Sequence, residues 1–415
     1  MANIIIGCVA DDFTGASDIA SFFVKSGLET LLINELPDPG FQIPARTGCI
    51  VIALKTRTME TAKAVSESIA AFRWLKEHGA GKLYFKYCST FDSGRTGNIG
   101  PVIDAVLAEY QLPYTVLCPS LPVNGRTVRD GKLYVNGVPL DQSHMKDHPL
   151  TPMWDSYLPA LMKDQGQHPC YILKAGQLKQ TFDPGGMSRP CYLIPDYYEE
   201  EHGREIAETF SACEFFTGGS GLGGHLAAQL QMPERAGRSQ NVMYTSGKGI
   251  ILAGSCSTVT LRQIAAYQEQ GYPSYRIDPA ALLAGTEHAE RVFRWIEQQR
   301  EVPLIYTFAS PEELETASPP DREQAAVLLE QFLASLAVWA AANGRRRIIV
   351  AGGETSGAVT KALGYKTFLI AGSITPGVPV MIPEKEPAIR LVLKSGSFGA
   401  ADFFDRAVTL TEDAG

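Results

Sequence analysis

Short apolar runs alternate with helix-patterned stretches along nearly the whole chain, and this alternation restricts the fold more than any other property of the sequence. Candidate strands are Ile4–Val9, Glu29–Ile33, Cys49–Leu54, Lys82–Tyr87, Tyr114–Cys118, Cys170–Leu173, Pro190–Leu193 and Cys213–Thr217, with candidate helices Thr58–His78, Ile99–Tyr110 and Glu200–Phe210 between them. A second series follows the polar stretch Met232–Lys248: strands Ile250–Ala253, Leu304–Thr307 and Ile348–Val350, and helices Thr260–Gln270, Asp321–Asn343 and Gly357–Leu363. The segment Pro311–Pro320 reads as a surface loop, and the tail Arg390–Ala407 as strand, glycine turn and helix. Strands that alternate with helices pair in parallel, because parallel neighbours need a crossover long enough to hold a helix. The expected fold is therefore α/β with two domains, each a mostly parallel sheet flanked by helices. The expected boundaries are residues 1–235, a linker 236–248, and residues 249–415. Only Leu121–Thr151 departs from the pattern. It reads as a short hairpin around Thr127–Val128 and Leu133–Val135, an Asn136-Gly137 turn and a polar loop. A long irregular segment in a compact domain is often functional.

Composition narrows the function. The chain has 415 residues and a net charge of −8, whereas a general nucleic-acid binder carries a basic face. Its tight basic run, Arg345-Arg346-Arg347, reads as a solvated strand entry. The N-terminus enters a strand at once, without the pattern of a secretion signal, and no stretch reads as a membrane span. Eight cysteines are scattered without a CxxC pair, which argues against a disulfide framework or a zinc site and for a reducing cytoplasm. His144 and His148 have i, i+4 spacing, but Pro149 places them in a loop.

Chemistry concentrates where strands end. Behind Ile4–Val9 comes Ala10-Asp11-Asp12-Phe13-Thr14-Gly15-Ala16-Ser17-Asp18. In open α/β sheets ligands bind outside the carboxyl ends of the strands. Carboxylates there can bind a metal, take a proton or accept hydrogen bonds from a polyol; a helix cap accounts for one of Asp11 and Asp12, not both. Lys86-Tyr87-Cys88-Ser89-Thr90-Phe91-Asp92-Ser93-Gly94-Arg95-Thr96-Gly97-Asn98 and Pro122-Val123-Asn124-Gly125-Arg126-Thr127 follow two further strands. Together they could place Lys86, Arg95 and Arg126 around a small anion, with Asp12 and Asp92 beside a hydroxyl. The competing structural readings are an Asx turn at Asp92 and an Arg126–Asp130 ion pair.

Four glycine-rich turns also follow strands: Thr217–Gly224, Gly254–Ser257, Gly352–Gly357 and Ser395–Gly399. Glycines let backbone N–H groups approach a phosphate at a helix N-terminus. Three of these turns lie in the C-terminal half, which points to a nucleotide there. The first contains a formal GxGxxG at Gly219, Gly221 and Gly224, but no following strand ends in the acid that a dinucleotide site requires. An acid- or polyol-binding half and a phosphate-binding half together fit phosphoryl transfer, in which positioning and charge neutralisation do most of the work and a carboxylate takes the hydroxyl proton.

The segments ADDFTGASD (Ala10–Asp18), YCSTFDSGRTGNIG (Tyr87–Gly100), PVNGRT (Pro122–Thr127), TGGSGLGG (Thr217–Gly224), GSCSTVT (Gly254–Thr260), GGETSG (Gly352–Gly357), Pro376-Gly377-Val378-Pro379 and LKSGSFGAADFF (Leu393–Phe404) occur in order from end to end. Asp141–Pro149 and Pro195–Tyr198 agree with them. In this set the chain resembles the four-carbon acid sugar kinase family, most closely its 3-oxo-tetronate branch. The resemblance implies an acid-sugar-binding N-terminal domain, an ATP-binding C-terminal domain, an active site in the cleft between them, and ATP with Mg²⁺. It also implies phosphorylation of the C4 hydroxyl of a four-carbon sugar acid. By motif position, Asp12 and Asp92 would be catalytic, and Asp11, Lys86, Arg95 and Arg126 would bind the acid. Ser255, Ser257, Gly352, Gly353, Glu354, Thr355, Ser356, Gly396 and Gly399 would contact ATP, with Glu354 a candidate for the metal. Ser397 stands where relatives often carry Asn, and the Gly94-Arg95-Thr96 stretch varies among them. D-threonate, D-erythronate and L-threonate are the alternative substrates. An NAD-linked dehydrogenase and a non-catalytic sugar-acid or nucleotide sensor are the alternatives of other classes. The expected partners are a small sugar acid and ATP, with no nucleic acid or membrane, and a homodimer is compatible with the sequence.

Overall fold

The computed structural model describes residues 4–148, 151–182, 185–230, 242–307 and 319–413. The chain forms two compact units, Met1–Ser239 and Gln240–Gly415.

The first unit holds β1 (Ile6–Ala10), β2 (Thr30–Asn34), β3 (Cys49–Ala53), β4 (Lys82–Lys86), β5 (Tyr114–Cys118), β6 (Arg126–Arg129), β7 (Lys132–Val135), β8 (Val138–Pro139), β9 (Cys170–Leu173), β10 (Cys191–Pro195) and β11 (Phe215–Gly218). Its main sheet runs β2-β3-β1-β4-β11-β5-β10-β9, and every pairing in it is parallel. Every residue of β1 and β3 is buried, as expected of strands covered on both faces by crossover helices. The helix α1 (Phe13–Lys25) buries Ile19, Ala20 and Phe23 and packs on the helix Ser220–Leu230. From β1 the chain turns toward β2 and β3; from β4 it leaves in the other direction, toward β5. The carboxyl ends of β1 and β4 therefore flank the switch point of the sheet, where α/β folds bind ligands.

β6, β7 and β8 form a small antiparallel sheet. Asn136 and Gly137 take left-handed φ of 51° and 80°, as expected. Asp130 and Gly131 do the same, at 54° and 71°, so this Asp-Gly is a second tight hairpin turn. Asp130 pairs with Lys174 and not with Arg126.

The second unit holds β12 (Lys248–Ala253), β13 (Ser274–Arg276), β14 (Leu304–Tyr306), β15 (Arg345–Ala351), β16 (Thr367–Thr375), β17 (Val378–Pro383) and β18 (Arg390–Lys394). The order is β13-β14-β12-β15-β18-β17-β16. The first five strands are parallel and the last two antiparallel. Here too the chain leaves β12 toward one edge and β15 toward the other, so Gly254 and Gly352 stand at a switch point. The β16–β17 hairpin was not anticipated; Gly372, Pro379 and Pro383 break its apolar pattern, and a Pro376-Gly377 turn with Gly377 at φ 82° closes it.

Two expectations need correction. Arg345 and Arg347 are not a solvated entry: both are buried inside β15. Arg345 donates to the carbonyl oxygens of Gly249 and Ile296 (2.8 and 2.7 Å), and Arg347 to Gly247, Val408 and Glu412. A guanidinium can be buried when its rigid fork finds this many oxygens. Second, Gln324–Ala342, in the helix Pro319–Ala342, reaches a mean hydropathy of 1.7 and is long and apolar enough to cross a membrane. Its Leu329, Leu333, Leu336, Ala337 and Ala340 are buried, Val327 and Val338 are exposed, and the helix packs on β15 and the helix Gly353–Leu363, so one face of it serves the core of this unit. The polar boundary stretch lies mostly outside the described residues, as does Pro311–Ser318; Pro319 and Pro320 open a helix and are not loop.

Candidate functional site

At the end of β1 the two aspartates divide their tasks. Asp12 is the N-cap of α1, its Oδ1 accepting from the Gly15 N–H at 2.5 Å. Asp11 turns inward, its side chain 5% exposed, and accepts both Nε and Nη2 of Arg57 at 2.9 and 2.8 Å. This is the bidentate fork that favours arginine over lysine. Arg57 was not singled out from the sequence. It follows β3, and the Asp11 carbonyl oxygen receives the Thr56 and Arg57 backbone N–H groups (3.1 and 3.3 Å). Its remaining Nη1 lies 2.9 Å from Asp12 Oδ2 and 4.0 Å from Asp92 Oδ2. Burial works against the guanidinium charge, but Asp11 and Asp12 outweigh it and hold the Arg57 pKa well above its ordinary value.

The loop after β4 completes the group. Asp92 Oδ1 accepts from the Thr90 hydroxyl at 2.6 Å, and Thr90 in turn lies 2.9 Å from Cys88 Sγ. Phe91 holds a left-handed φ of 53° between them. Burial beside Asp92 pushes the Cys88 thiol up to about 12, so it stays neutral. Lys86 Nζ is buried, donates to the Tyr87 carbonyl at 2.9 Å and lies 3.7 Å from Asp18 Oδ2. Ser220 donates to the same Asp18 oxygen, while Asp18 Oδ1 has no partner. Burial raises the Asp18 pKa against the pull of Lys86 and Ser220. A Cβ at Gly15 would stand 2.7 Å from Asp12 Oδ1 and 3.3 Å from Lys86 Nζ, so the glycine keeps open the space that both border.

Asp11, Asp12, Lys86 and Asp92 thus gather at one switch point. Arg95 does not join them: it is 64% exposed, pairs with Asp164 at 2.6 Å and lies over the Trp154 ring. Arg126 donates to the Asn124 carbonyl, and its buried Nε has no partner. Among the described residues no hydrogen bond or ion pair joins Arg95 or Arg126 to the aspartates.

The first glycine run is explained by packing. Gly223 lets α1 and the helix Ser220–Leu230 meet: a Cβ there would stand 2.9 Å from Ile19 Cδ1. That use of the run removes the main support for a dinucleotide site. His148 Nδ1 accepts from the Thr151 N–H, and among the described residues no group of three His, Cys, Asp or Glu could hold a metal.

In the second unit the other three glycine turns converge. Gly254 and Ser255 donate to the Ala351 carbonyl, and Gly352 donates to that of Lys394. Ser257 caps the helix Thr258–Glu269 and donates to the Gly396 carbonyl at 2.6 Å. Ser255 Oγ accepts from the Ser257 N–H at 3.2 Å. The Thr355 hydroxyl packs beneath Gly254 and Gly352. Gly352 sits at φ 132° and caps the helix Gly353–Leu363 without any side-chain bond, leaving the first N–H groups of that helix for an anion. Gly353 and Glu354 are exposed at its mouth, and the buried Ser356 hydroxyl has no partner. Gly399 belongs to a turn tied down by Gln263, which donates to the Phe398 and Ala400 carbonyls.

Beneath these turns lies Lys394, also missed from the sequence. Its buried Nζ donates to Thr260 Oγ1 (2.9 Å) and to the Ser395 and Gly396 carbonyls (both 3.2 Å), over the Phe403 ring. Burial without a carboxylate partner pushes its pKa down to about 7. A lysine is rarely buried unless paired, so the LKSGSFG segment alone does not mark it.

Comparison with known proteins agrees with this division. Residues 6–226 match the model of a sugar-binding N-terminal domain, and residues 250–404 that of a nucleotide-binding C-terminal domain. Proteins named 3-oxo-tetronate kinase are similar throughout. The Salmonella typhimurium protein is 41% identical, covering 97% of this chain and 98% of its own. The Cupriavidus necator protein is 39% identical, covering 97% and 96%. A crystal structure from Salmonella typhimurium LT2, which carries the working label of a tRNA synthase, superposes with a TM-score of 0.88 at 40% identity, covering 97% of this chain and 98% of that one. A Haemophilus influenzae crystal structure gives 0.80 at 38%, with the same coverage. With both domain models matched and such relatives similar along nearly its entire length, the chain belongs to the four-carbon acid sugar kinase family.

Proposed function

We propose that this protein is an ATP-dependent kinase that transfers the γ-phosphoryl group to the C4 hydroxyl of 3-oxo-tetronate. The observation that carries the reading is the similarity, at 37–41% identity over nearly full length, to proteins named for that activity. The aspartates at one switch point and the glycine turns at the other supply the chemistry.

In the mechanism, the C4 oxygen attacks the γ-phosphorus, its proton passes to a carboxylate, and ADP leaves. Asp12 is the proposed base, because its side chain is 31% exposed against 5% for Asp11 and 10% for Asp92. Asp92, held by Thr90, orients the acceptor. Asp11 serves the acid indirectly, through Arg57. Lys86 and the unpartnered Nε of Arg126 suit the sugar-acid carboxylate or the transferring group. Backbone N–H groups of Gly353–Thr355 and Gly396, with the Ser255 and Ser356 hydroxyls, receive the ATP phosphates; Gly352 and Ser257 already bond the Lys394 and Gly396 carbonyls and so shape the turns. Mg²⁺ in kinases rides on phosphates and waters with one or two carboxylates, and the exposed Glu354 at the glycine turn fits that donor set. Bound there, the ion would neutralise charge on the phosphates.

The test is ADP release with Mg-ATP against 3-oxo-tetronate, both threonates, both erythronates and a six-carbon aldonate. Turnover confined to 3-oxo-tetronate is expected. Preference for a plain tetronate would move the substrate within the family, and acid-independent ATP binding alone would favour a sensor. We further propose a cytoplasmic location, consistent with eight free cysteines.

A further inference from the structure

We infer that Arg57 is a positioning residue that acts through Asp12 and Asp92, its one nitrogen not clamped by Asp11 orienting both carboxylates from a fixed plane. The inference rests on the kinase reading for its catalytic consequence, but its geometry stands apart from it. A guanidinium presents five N–H donors in a rigid plane. In Arg57 the Nε–Nη2 edge is spent on Asp11, a buried carboxylate whose own backbone also receives the Thr56 and Arg57 N–H groups. Side chain and main chain thus fix the plane, and Nη1 is left facing Asp12 Oδ2 at 2.9 Å and Asp92 Oδ2 at 4.0 Å.

The two carboxylates come from different strand ends, β1 and β4, and Arg57 from a third, β3. One cation therefore ties three loops together. The other titratable groups around this cluster are Lys86 at the end of β4, Cys88 in the loop after it and Asp18 on α1. Lys86 lies 3.7 Å from Asp18 and bonds the Tyr87 carbonyl, which leaves Arg57 as the cation in direct contact with Asp12. An opposite charge within about 4–6 Å lowers an aspartate pKa by about one to three units.

The experiment compares the pH dependence of kcat/KM for the sugar acid in the wild type, Arg57→Met and Arg57→Lys. The acid-side limb should move alkaline by about one to three pH units in Arg57→Met, and in the same direction but less in Arg57→Lys. A merely structural arginine would lower activity at every pH and leave the limb in place. In parallel, ¹³C NMR of Cγ-labelled aspartates, assigned with Asp12→Asn and Asp92→Asn, should show both carboxylates titrating higher in the variants. If Arg57→Met does not fold, Arg57→Lys alone decides by the same two readouts. An unmoved limb with unmoved titrations in a folded variant overturns the inference. Absence of wild-type turnover on every sugar acid overturns the kinase reading instead, and the carboxylate titrations then still decide for or against Arg57.

Discussion

Under the proposed function the two units solve the same problem, holding an anionic ligand at a sheet's switch point, with different materials. In the first unit the site is made of acidic and basic side chains: Asp11, Asp12, Arg57, Lys86 and Asp92 come from three strand ends, and Arg57 ties the three aspartates together. In the second, glycines, hydroxyls and backbone groups line the turns, and the amine of Lys394, its pKa pushed down to about 7, lies below them. The contrast follows from the proposed ligands. A sugar acid must be oriented atom by atom and relieved of a proton, which needs side chains of defined charge. A polyphosphate presents many equivalent oxygens, for which a helix N-terminus and close backbone approach suffice. The first site should therefore fail through chemistry when altered, and the second through affinity.

Asp12→Asn should show the largest effect. Asparagine caps helices about as well as aspartate, so α1 should persist, while loss of a general base lowers turnover by about 10²- to 10⁴-fold. Coupled ADP release measures this; a variant that retains wild-type-like turnover would transfer the base role to Asp92. Next comes Gly396→Ala. The new Cβ would collide with Ser255 Oγ and stand 2.9 Å from Ser257 Oγ. ATP affinity by calorimetry should fall about tenfold, a cost of about 1.4 kcal/mol, with sugar-acid binding unchanged. Equal loss of both would erase the distinction between the units.

Lys394 sharpens the comparison through pH. Its pKa falls from an ordinary 10.5 to about 7 in the folded state, so the unfolded chain binds more protons between those values. Stability then rises with pH across that window and falls as pH drops back through about 7. Thermal melts from pH 6 to 10 should show this slope in the wild type and a flatter profile in Lys394→Met. An identical slope in both would mean that the three oxygen acceptors keep the amine charged. The smallest effect is expected for Arg95→Ala. Its exposed pair with Asp164 contributes about 0–1 kcal/mol, and kcat/KM for the sugar acid should stay within about twofold on that ground. A tenfold loss would bring Arg95 back to the site.

The sequence made the architecture readable because parallel strands are buried on both faces and stand out as apolar runs; Tyr114–Cys118 and Cys170–Leu173 match their predicted limits. It also exposed the residues at strand ends, since charges and glycines directly after apolar runs have few other uses. Arg57 stayed hidden because Lys55-Thr56-Arg57 looks like any polar strand exit, and its meaning depends on a pairing with Asp11 that is 46 positions away in the chain. Arg345 and Arg347 misled for the converse reason: a basic run looks solvated unless the carbonyl oxygens that receive it are known. Residues that act through long-range partners are legible only once the topology brings strand ends together.

The decisive observable is the bond that the enzyme makes. Protein, Mg-ATP and 3-oxo-tetronate should yield one ADP for each new phosphate monoester, read by ³¹P NMR and mass spectrometry, with the phosphate on C4. ATP bound but no phosphorylated acid formed, or ATP hydrolysed at a rate indifferent to the acid, would contradict it.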